Sequence, residues 1–257
     1  MVIKIGGNII DDESKLSLFL KNFAAVKEKK ILVHGGGKLA TKLAEQMNVS
    51  QQIIEGRRIT DVKTLKIVTM VYAGYINKNI VAQLQASGCN AIGLSGADGN
   101  LVQSHKRNHP SIDYGFAGDV DSVNSELLKT VLQQNLTPII APITHNRQGQ
   151  LLNTNADTIA REAAKALSKD FEVALIYSFE KAGVLLNAED DNSVILKINS
   201  TSYAELKKSG IVHSGMIPKL DNAFAAISNG VKKVVIGKAE DIKELIKGQK
   251  GTSIINE

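Results

Sequence analysis

The chain predicts an α/β fold in which a mostly parallel sheet of about eight strands lies between two layers of helices, a three-layer αβα sandwich. Three observations carry this expectation. The 257 residues are 43% hydrophobic and 22% charged, enough apolar material for a sizeable core and enough charge for solubility. Short apolar runs alternate with longer amphipathic stretches from one end to the other. Glycine-rich turns follow several of the apolar runs, where strands of such sheets hand over to helix N-termini.

Taken in order, Val2 to Ile5 reads as the first strand. Leu16, Phe19, Leu20 and Phe23 then recur at i, i+3, i+4 and i+7, one apolar stripe on a helix that Asp11 or Asp12 can cap. Ile31 to His34 is a second strand that runs into Gly35-Gly36-Gly37, and Lys38 to Met47 is helix-like. A long helical region covers about Asp61 to Ser87, and Ala91 to Leu94 follows as a strand. Gly96 to Asp121, rich in Gly, Asn, Asp and His, reads as an irregular or hairpin excursion. Helix resumes from Asn124 to Asn135, strand from Thr137 to Ile143, and a turn falls at Asn146 to Gly149. Asn155 or Asp157 begins an alanine-rich helix to about Ser168. The second half repeats the pattern: strand at Val173 to Tyr177, a turn at Lys181 to Gly183, helices at Tyr203 to Lys208 and Ile217 to Asn229, strand at Lys233 to Ile236, and a closing helix near Glu240 to Lys247. A tight boundary near Ser168 to Asp170 divides the chain into a lobe of residues 1–169 and a lobe of residues 170–257.

Several classes of function are disfavoured at once. No run of 18 or more apolar residues exists, so no membrane partner is expected, and the opening MVIKIGG lacks the long apolar core of a secretory signal. A cytoplasmic protein is the expectation. The net charge of +5 comes from basic residues scattered singly or in pairs among acids, aromatics are 4% of the chain and tryptophan is absent, which argues against nucleic acid. Such a modest positive balance suits an enzyme of anionic metabolites. The one cysteine, Cys89, sits among apolar neighbours and reads as a buried, inert residue.

Two glycine clusters, Lys4-Ile5-Gly6-Gly7 and His34-Gly35-Gly36-Gly37-Lys38, each follow a strand. Without Cβ atoms such turns let backbone N–H groups approach an anion, and a helix N-terminus behind them adds a favourable dipole. Gly35 to Ala40 also fits G-x-G-x-x-G/A, with Glu55 about 20 residues on, so a dinucleotide-binding oxidoreductase is a second reading. That reading leaves the lysines unexplained. A Walker A loop is absent, and Gly93 to Ala97 misses the last glycine of a G-x-S-x-G elbow. His105 and His109 have helical ligand spacing, yet Asn108 and Pro110 break a helix there, so they read as loop histidines. Arg57 and Arg58 in Gly56-Arg57-Arg58-Ile59-Thr60 can form a fork for a carboxylate, or simply cap the helix that follows. Lys219, in the first turn of a helix, opposes the dipole there unless an anion compensates.

Five motifs, Lys4-Ile5-Gly6-Gly7, His34-Gly35-Gly36-Gly37, Gly56-Arg57-Arg58-Ile59-Thr60, Asn153-Thr154-Asn155-Ala156-Asp157 and Gly215-Met216-Ile217-Pro218-Lys219, resemble in their order those of the amino acid kinase family, and they span nearly the whole chain. The third motif points to the family's acylglutamate branch. The resemblance implies transfer of the γ-phosphoryl group of ATP to the side-chain carboxylate of an N-acylated glutamate, N-acetyl-L-glutamate or alternatively N-succinyl-L-glutamate, in arginine synthesis; another acid of the same family is a further alternative. It implies that Lys4 and Lys219 flank the moving phosphoryl and that Asp157 holds both lysines. Gly6 and Gly7 would meet the nucleotide, and Gly36 and Gly37 the phosphate and the reacting carboxylate. Arg58 and Asn153 would bind the α-carboxylate end of the amino acid. Mg²⁺ would be carried in by the ATP phosphates and water, with no ligand set of its own on the protein.

In two places the chain departs from the family's pattern. A Thr/Ser-Asp-Val turn that contacts the nucleotide is replaced by Ser178-Phe179-Glu180-Lys181-Ala182-Gly183, one residue longer and without the aspartate; Lys181 and His213 are the candidates at that end. The loop of residues 95 to 120, near the acyl group, also differs, and Lys106 or Arg107 could pair with the extra carboxylate of a succinyl group. The chain opens directly on its first strand, without the helical extension of the family's arginine-inhibited hexamers, so a feedback-insensitive homodimer is expected.

Overall fold

The structure, a computed structural model, describes all residues except Glu55, Ala188, His213, Ser214, Gly215 and Glu257. The chain runs β1 (Val2–Ile5), α1 (Gly7–Ile10), α2 (Glu13–Ala24), β2 (Ile31–His34), α3 (Gly37–Gln46), then a small hairpin of β3 (Ile53–Ile54) and β4 (Arg57–Arg58). It continues through α4 (Val62–Thr69), a wide π-helical segment (Met70–Ile76) and α5 (Asn77–Ala86) to β5 (Ala91–Leu94), β6 (Val102–Lys106), β7 (Ala117–Val123) and α6 (Ser125–Gln133). Next come β8 (Thr137–Ile140), β9 (Ile143–His145), β10 (Leu151–Thr154), α7 (Ala156–Leu167) and β11 (Ala174–Phe179). β12 (Lys197–Ile198), α8 (Ser200–Lys208), α9 (Ile217–Ser228), β13 (Lys233–Lys238), α10 (Ile242–Lys247) and β14 (Thr252–Ile254) complete it.

Eight strands form one sheet in the order β12-β14-β13-β11-β1-β2-β8-β5, all pairs parallel except β13 with β14. Side chains alternate across it with period two. Val2, Ile31, Val33, Leu175, Val234 and Ile236 face one apolar layer with α7 and α9, whereas Ile3, Leu32, Ile176 and Val235 face the other, with α2, α4 and α5. Both faces are therefore covered, the condition under which parallel strands are stable. Lys4 shares the face of Val2, so the period-two rule turns it toward α7. Asp12 is the α2 cap, its side chain accepting from the Lys15 N–H.

The expected strand from Thr137 to Ile143 is two strands. After β8 the chain breaks at Ala141-Pro142, where Pro142 has no N–H to give a ladder, and β9 joins a separate closed barrel, β10-β7-β6-β9. The excursion of residues 96–121 supplies the other half of that barrel as the β6–β7 hairpin, with a bulge between Gln103 and Ser104. β3, β4, β12 and β14 are strands with no counterpart in the sequence expectation; all four are only two or three residues long, and β4 is the Arg57-Arg58 pair itself.

Candidate active site

β1 lies between β2 and β11, and their register sets Ile5 beside His34 and beside Ser178. The three strands thus end level, and the Gly6-Gly7 turn, the Gly35-Gly36-Gly37 turn and the Phe179-to-Gly183 turn leave the sheet together. This is the point where chain connections diverge to the two sides of the sheet, the usual ligand crevice of open α/β folds. Gly6 gives its N–H to the Ser178 carbonyl at 2.8 Å, and a Cβ there would come within 3.2 Å of Phe179 Cβ, so its role is to keep two turns close. Gly36 caps α3 with φ +141°, where a Cβ would stand 2.1 Å from Ile76 Cδ1 in the π-helical segment. Gly37 is the first residue of α3, whose leading N–H groups have no partners within the helix.

His34 is fully buried behind this turn. Its Nδ1 is 2.9 Å from the Gly35 carbonyl and can only donate there, which leaves Nε2 to accept from Asn77 Nδ2 at 3.1 Å. Burial, against the Gly35 hydrogen bond and aided by the Lys78 charge, pushes its pKa down to about 4. The ring is a neutral strut. Asn77 also donates to the Ile139 carbonyl at 2.9 Å, tying the turn to β8.

The charged centre lies on the α7 face. Lys4 Nζ is 2.8 Å from Asp157 Oδ1, as the period-two rule requires, and the two side chains are 13% and 16% exposed. Asn155 caps α7, its Oδ1 accepting from the N–H of Asp157 and of Thr158, so the aspartate is fixed in the first turn. Burial pushes the Asp157 carboxyl up, but Lys4 and Lys219 together outweigh it and hold the group below its usual range. Lys219, third residue of α9, lines one cavity with Asp157 and stands 6.0 Å from the centre of the Phe179 ring. Asp157 thus contacts Lys4 directly and reaches Lys219 through the field.

The acceptor-side candidates come together in a pocket of about 180 Å³ lined by Gly36, Gly37, Arg58 and Asn153, with Tyr72 and Asn155 among its other walls. Arg58 is 93% removed from solvent, being 7% exposed, and its guanidinium is locked by Gln51 Oε1, by the Gly37 carbonyl at 2.9 Å and by Thr41 Oγ1 at 3.0 Å. Asn153 donates to Thr60 Oγ1 at 3.1 Å, and Thr60 in turn donates to the Arg58 carbonyl at 2.8 Å. One chain of hydrogen bonds therefore runs from the barrel through the small hairpin to α3. Sequence reasoning missed Gln51, Thr41, Thr60 and Asn77 as supports; all are ordinary polar residues whose role exists only once distant elements meet.

At the other end Lys181 is within 3.8 Å of Asp191 and borders a recess of about 90 Å³ with Val184, Leu185, Val212 and Met216. His213, Glu55 and Gly215, named above, lie outside the described residues. Lys106 turns away, over the Phe116 ring at 4.0 Å, whereas Arg107 faces the cavity shared by Asp157 and Lys219.

A parallel sheet with lysines converging on one aspartate above glycine turns defines a phosphoryl-transfer enzyme, and the profile of the amino acid kinase family matches residues 1–238. The chain belongs to that family. Within it, the chain is 54% identical over 244 residues to a protein of Parabacteroides distasonis named acetylglutamate kinase, covering 95% of this chain and 96% of that one. It is 55% identical over 257 residues to the protein of that name from Cytophaga hutchinsonii, covering 99% and 97%. The fold is also that of a carbamate kinase from Giardia, with TM-score 0.72 at 15% identity over 100% of this chain and 98% of that one.

Proposed function

We propose that the chain transfers the γ-phosphoryl group of ATP to the side-chain carboxylate of N-acetyl-L-glutamate, forming N-acetyl-L-glutamyl 5-phosphate for arginine biosynthesis. The observation that carries it is the buried Arg58 pocket, which shares Gly56, Arg57 and Asn155 with the cavity of Asp157 and Lys219: one end suits an α-carboxylate, and the other opens toward the Lys4–Asp157 pair. The acceptor carboxylate is already a nucleophile at neutral pH, so no base is required. What the reaction needs is alignment and positive charge around the equatorial oxygens.

Arg58 grips the α-carboxylate, with Asn153 at the same end, which leaves the side-chain carboxylate directed toward the Gly36-Gly37 turn. There the N–H groups heading α3 receive carboxylate and phosphoryl oxygens. Lys4 and Lys219 stand on the two sides of the transferred group and offset its charge as the bond to ADP breaks. Asp157 keeps Lys4 in place; because Lys4 and Lys219 hold its carboxyl below the usual range, it stays ionised at neutral pH. The phosphate chain runs past Gly6 and Gly7, and the base end rests in the recess by Lys181, with His213 at the same end of the chain. Residues 1–169 thus serve the acceptor and residues 170–257 the nucleotide. Mg²⁺ supplies charge neutralisation on the phosphates when bound; Asp157 is the carboxylate at this centre and is engaged by Lys4, so its donors suit an ion held by phosphate and water. A homodimer in the cytoplasm completes the proposal, for which the exposed Leu18, Met70 and Tyr75 on neighbouring helices offer apolar contact.

Trapping the acyl phosphate with hydroxylamine tests the reading. Hydroxamate should form with ATP and N-acetyl-L-glutamate and not with free glutamate or aspartate. Product from a free amino acid alone, or none with any acceptor, overturns it.

A further inference from the structure

α7 and α9 pack against each other through one apolar layer, where the small side chains of Ala160, Ala163, Ala223 and Ala226 let the two helices come close. Beside this layer their polar residues face a cavity of about 840 Å³, lined by Asp157 and Arg161 from α7 and by Pro218, Lys219 and Asn222 from α9. Arg161 stands one turn after Asp157, and Asn222 one turn after Lys219, so each pair shares a helix face. The first rung between the helices, Asp157 with Lys219, acts through the field. The second is a hydrogen bond, in which Arg161 Nη1 donates to Asn222 Oδ1 at 2.6 Å. Glu162 orients the guanidinium for it, its Oε1 accepting from Arg161 Nε at 3.0 Å and from Nη2 at 2.8 Å. Asn222 uses its other end on α9 itself: Nδ2 donates at 2.8 Å to the carbonyl of Pro218, the residue before Lys219.

A lysine in the first turn of a helix opposes the dipole there and sits on a flexible four-carbon stem, so its place depends on what holds the turn. Among the described residues no side chain caps α9 at Met216. Tyr203 ties the turn to α8, donating to Asp221 Oδ1 at 2.7 Å and to the Ile217 carbonyl at 3.4 Å, but α8 carries none of the groups at the charged centre. The tie across to α7, whose first turn holds Asp157, is the one from Arg161. We infer that Arg161 and Asn222 are positioning residues that hold the Lys219 ammonium level with Asp157, so that catalysis by Lys219 depends on a hydrogen bond one turn away from it. This rests on the proposed place of Lys219 at the transferred phosphoryl and deepens it. Asn222 passes the constraint to the Pro218 carbonyl, and so to the peptide from which Lys219 departs. Without it the first turn of α9 can shift against α7, and a charge that must meet the transferred group in one position then falls short of it.

The experiment is a cycle in kcat at saturating ATP and N-acetyl-L-glutamate, read by ADP release, with the parent chain, Arg161→Met, Lys219→Ala and the two changes together. Met keeps the aliphatic stem of Arg without its donors. Arg161→Met should lower kcat by roughly 10- to 100-fold, the effect of misplacing a group by about 1 Å, with both KM values within a few-fold of the parent. In the Lys219→Ala background the same change should cost less than about twofold, because the group it positions is gone. Arg161→Lys, which keeps a donor for Asn222, should retain part of the lost kcat. Asn222→Leu breaks the bond from its other side and should lower kcat as Arg161→Met does, so it decides the matter should Arg161→Met fail to fold. An equal loss in both backgrounds, or parent-like kcat once the bond is broken, overturns the inference and leaves the kinase reading intact. A rise in KM for ATP that persists without Lys219 would make Arg161 a nucleotide ligand and also overturn it. Parent-like turnover in Lys219→Ala removes that lysine from the reaction, and no turnover by the parent removes the proposed activity; the inference falls with either.

Discussion

The two ends of the site are built by opposite means. At the end proposed for the acceptor, Arg58, Asn153, Thr60, Thr41 and Gln51 form a closed set of hydrogen bonds around a polar pocket, drawn from α3, the β3–β4 hairpin and its flanks, and the barrel. At the end proposed for the nucleotide, Val184, Leu185, Val212 and Met216 make a shallow apolar recess with Lys181 at its edge. Preorganised polar groups select a ligand sharply, because a wrong ligand leaves them unpaired, whereas apolar area discriminates weakly. On the proposed assignment of the two ends, selectivity is expected to reside at the Arg58 pocket, with the recess by Lys181 contributing binding with tolerance.

The sharpest way to break this contrast is at the centre where the ends meet. Lys4→Ala should lower kcat by roughly 10²- to 10³-fold, the cost of removing one donor at a developing charge, with KM for the acceptor within a few-fold. Hydroxamate formation at saturating substrates measures it, and turnover within a few-fold of the parent would remove Lys4 from the reaction. Next in size is Arg58→Lys. The point charge cannot replace a planar fork held by three partners, so KM for the acylglutamate should rise by roughly tenfold or more with kcat less affected. Unchanged saturation would remove Arg58 from the carboxylate site.

A third test addresses rigidity. With a folded pKa of about 4 against an ordinary 6.5, His34 is favoured neutral in the fold, so its contribution is complete above pH 6.5 and is lost as pH falls from there toward 4. The parent should lose about 2 kcal/mol more unfolding free energy between about pH 7 and pH 5 than His34→Gln does, read from urea unfolding curves. Identical losses would mean that the strut titrates normally. The smallest effect is expected at the tolerant end: Leu185→Ala should raise KM for ATP by about 2- to 5-fold, in line with losing apolar area on one wall, and leave acceptor KM unchanged. An equal shift in both KM values would show the ends to be coupled rather than distinct.

Much of the framework was legible before folding was considered. The strands from Val2, Ile31 and Ala91 and the helices capped by Asp12, Asn124 and Asn155 follow from local period and cap chemistry, which act within a few residues. Lys4, Arg58, Asn153, Asp157 and Lys219 were identifiable because glycine turns and helix starts flank them, and the fold gathers them at adjoining pockets. What escaped were pairings with no local signature. β9 and β10 close a barrel with β6 and β7 only because residues far apart in the chain meet, as Gln103 does with His145 and Ala117 with Asn153. Lys197–Ile198 and Thr252–Ile254 are too short to show a period and are strands because an existing sheet edge receives them.

The sequence by itself determined the layered architecture, since periodicity, capping and glycine turns are properties of neighbouring residues, and its ordered motifs named the candidate catalytic groups. Tertiary structure alone decided how those groups are held and charged. It set His34 against Asn77, closed Gln51 and Thr41 around Arg58, and left Arg57 and Arg107 facing one carboxylate between them. The physical reason is that desolvation and charge compensation depend on which distant segments pack together, and no stretch of chain carries that information in its own spacing.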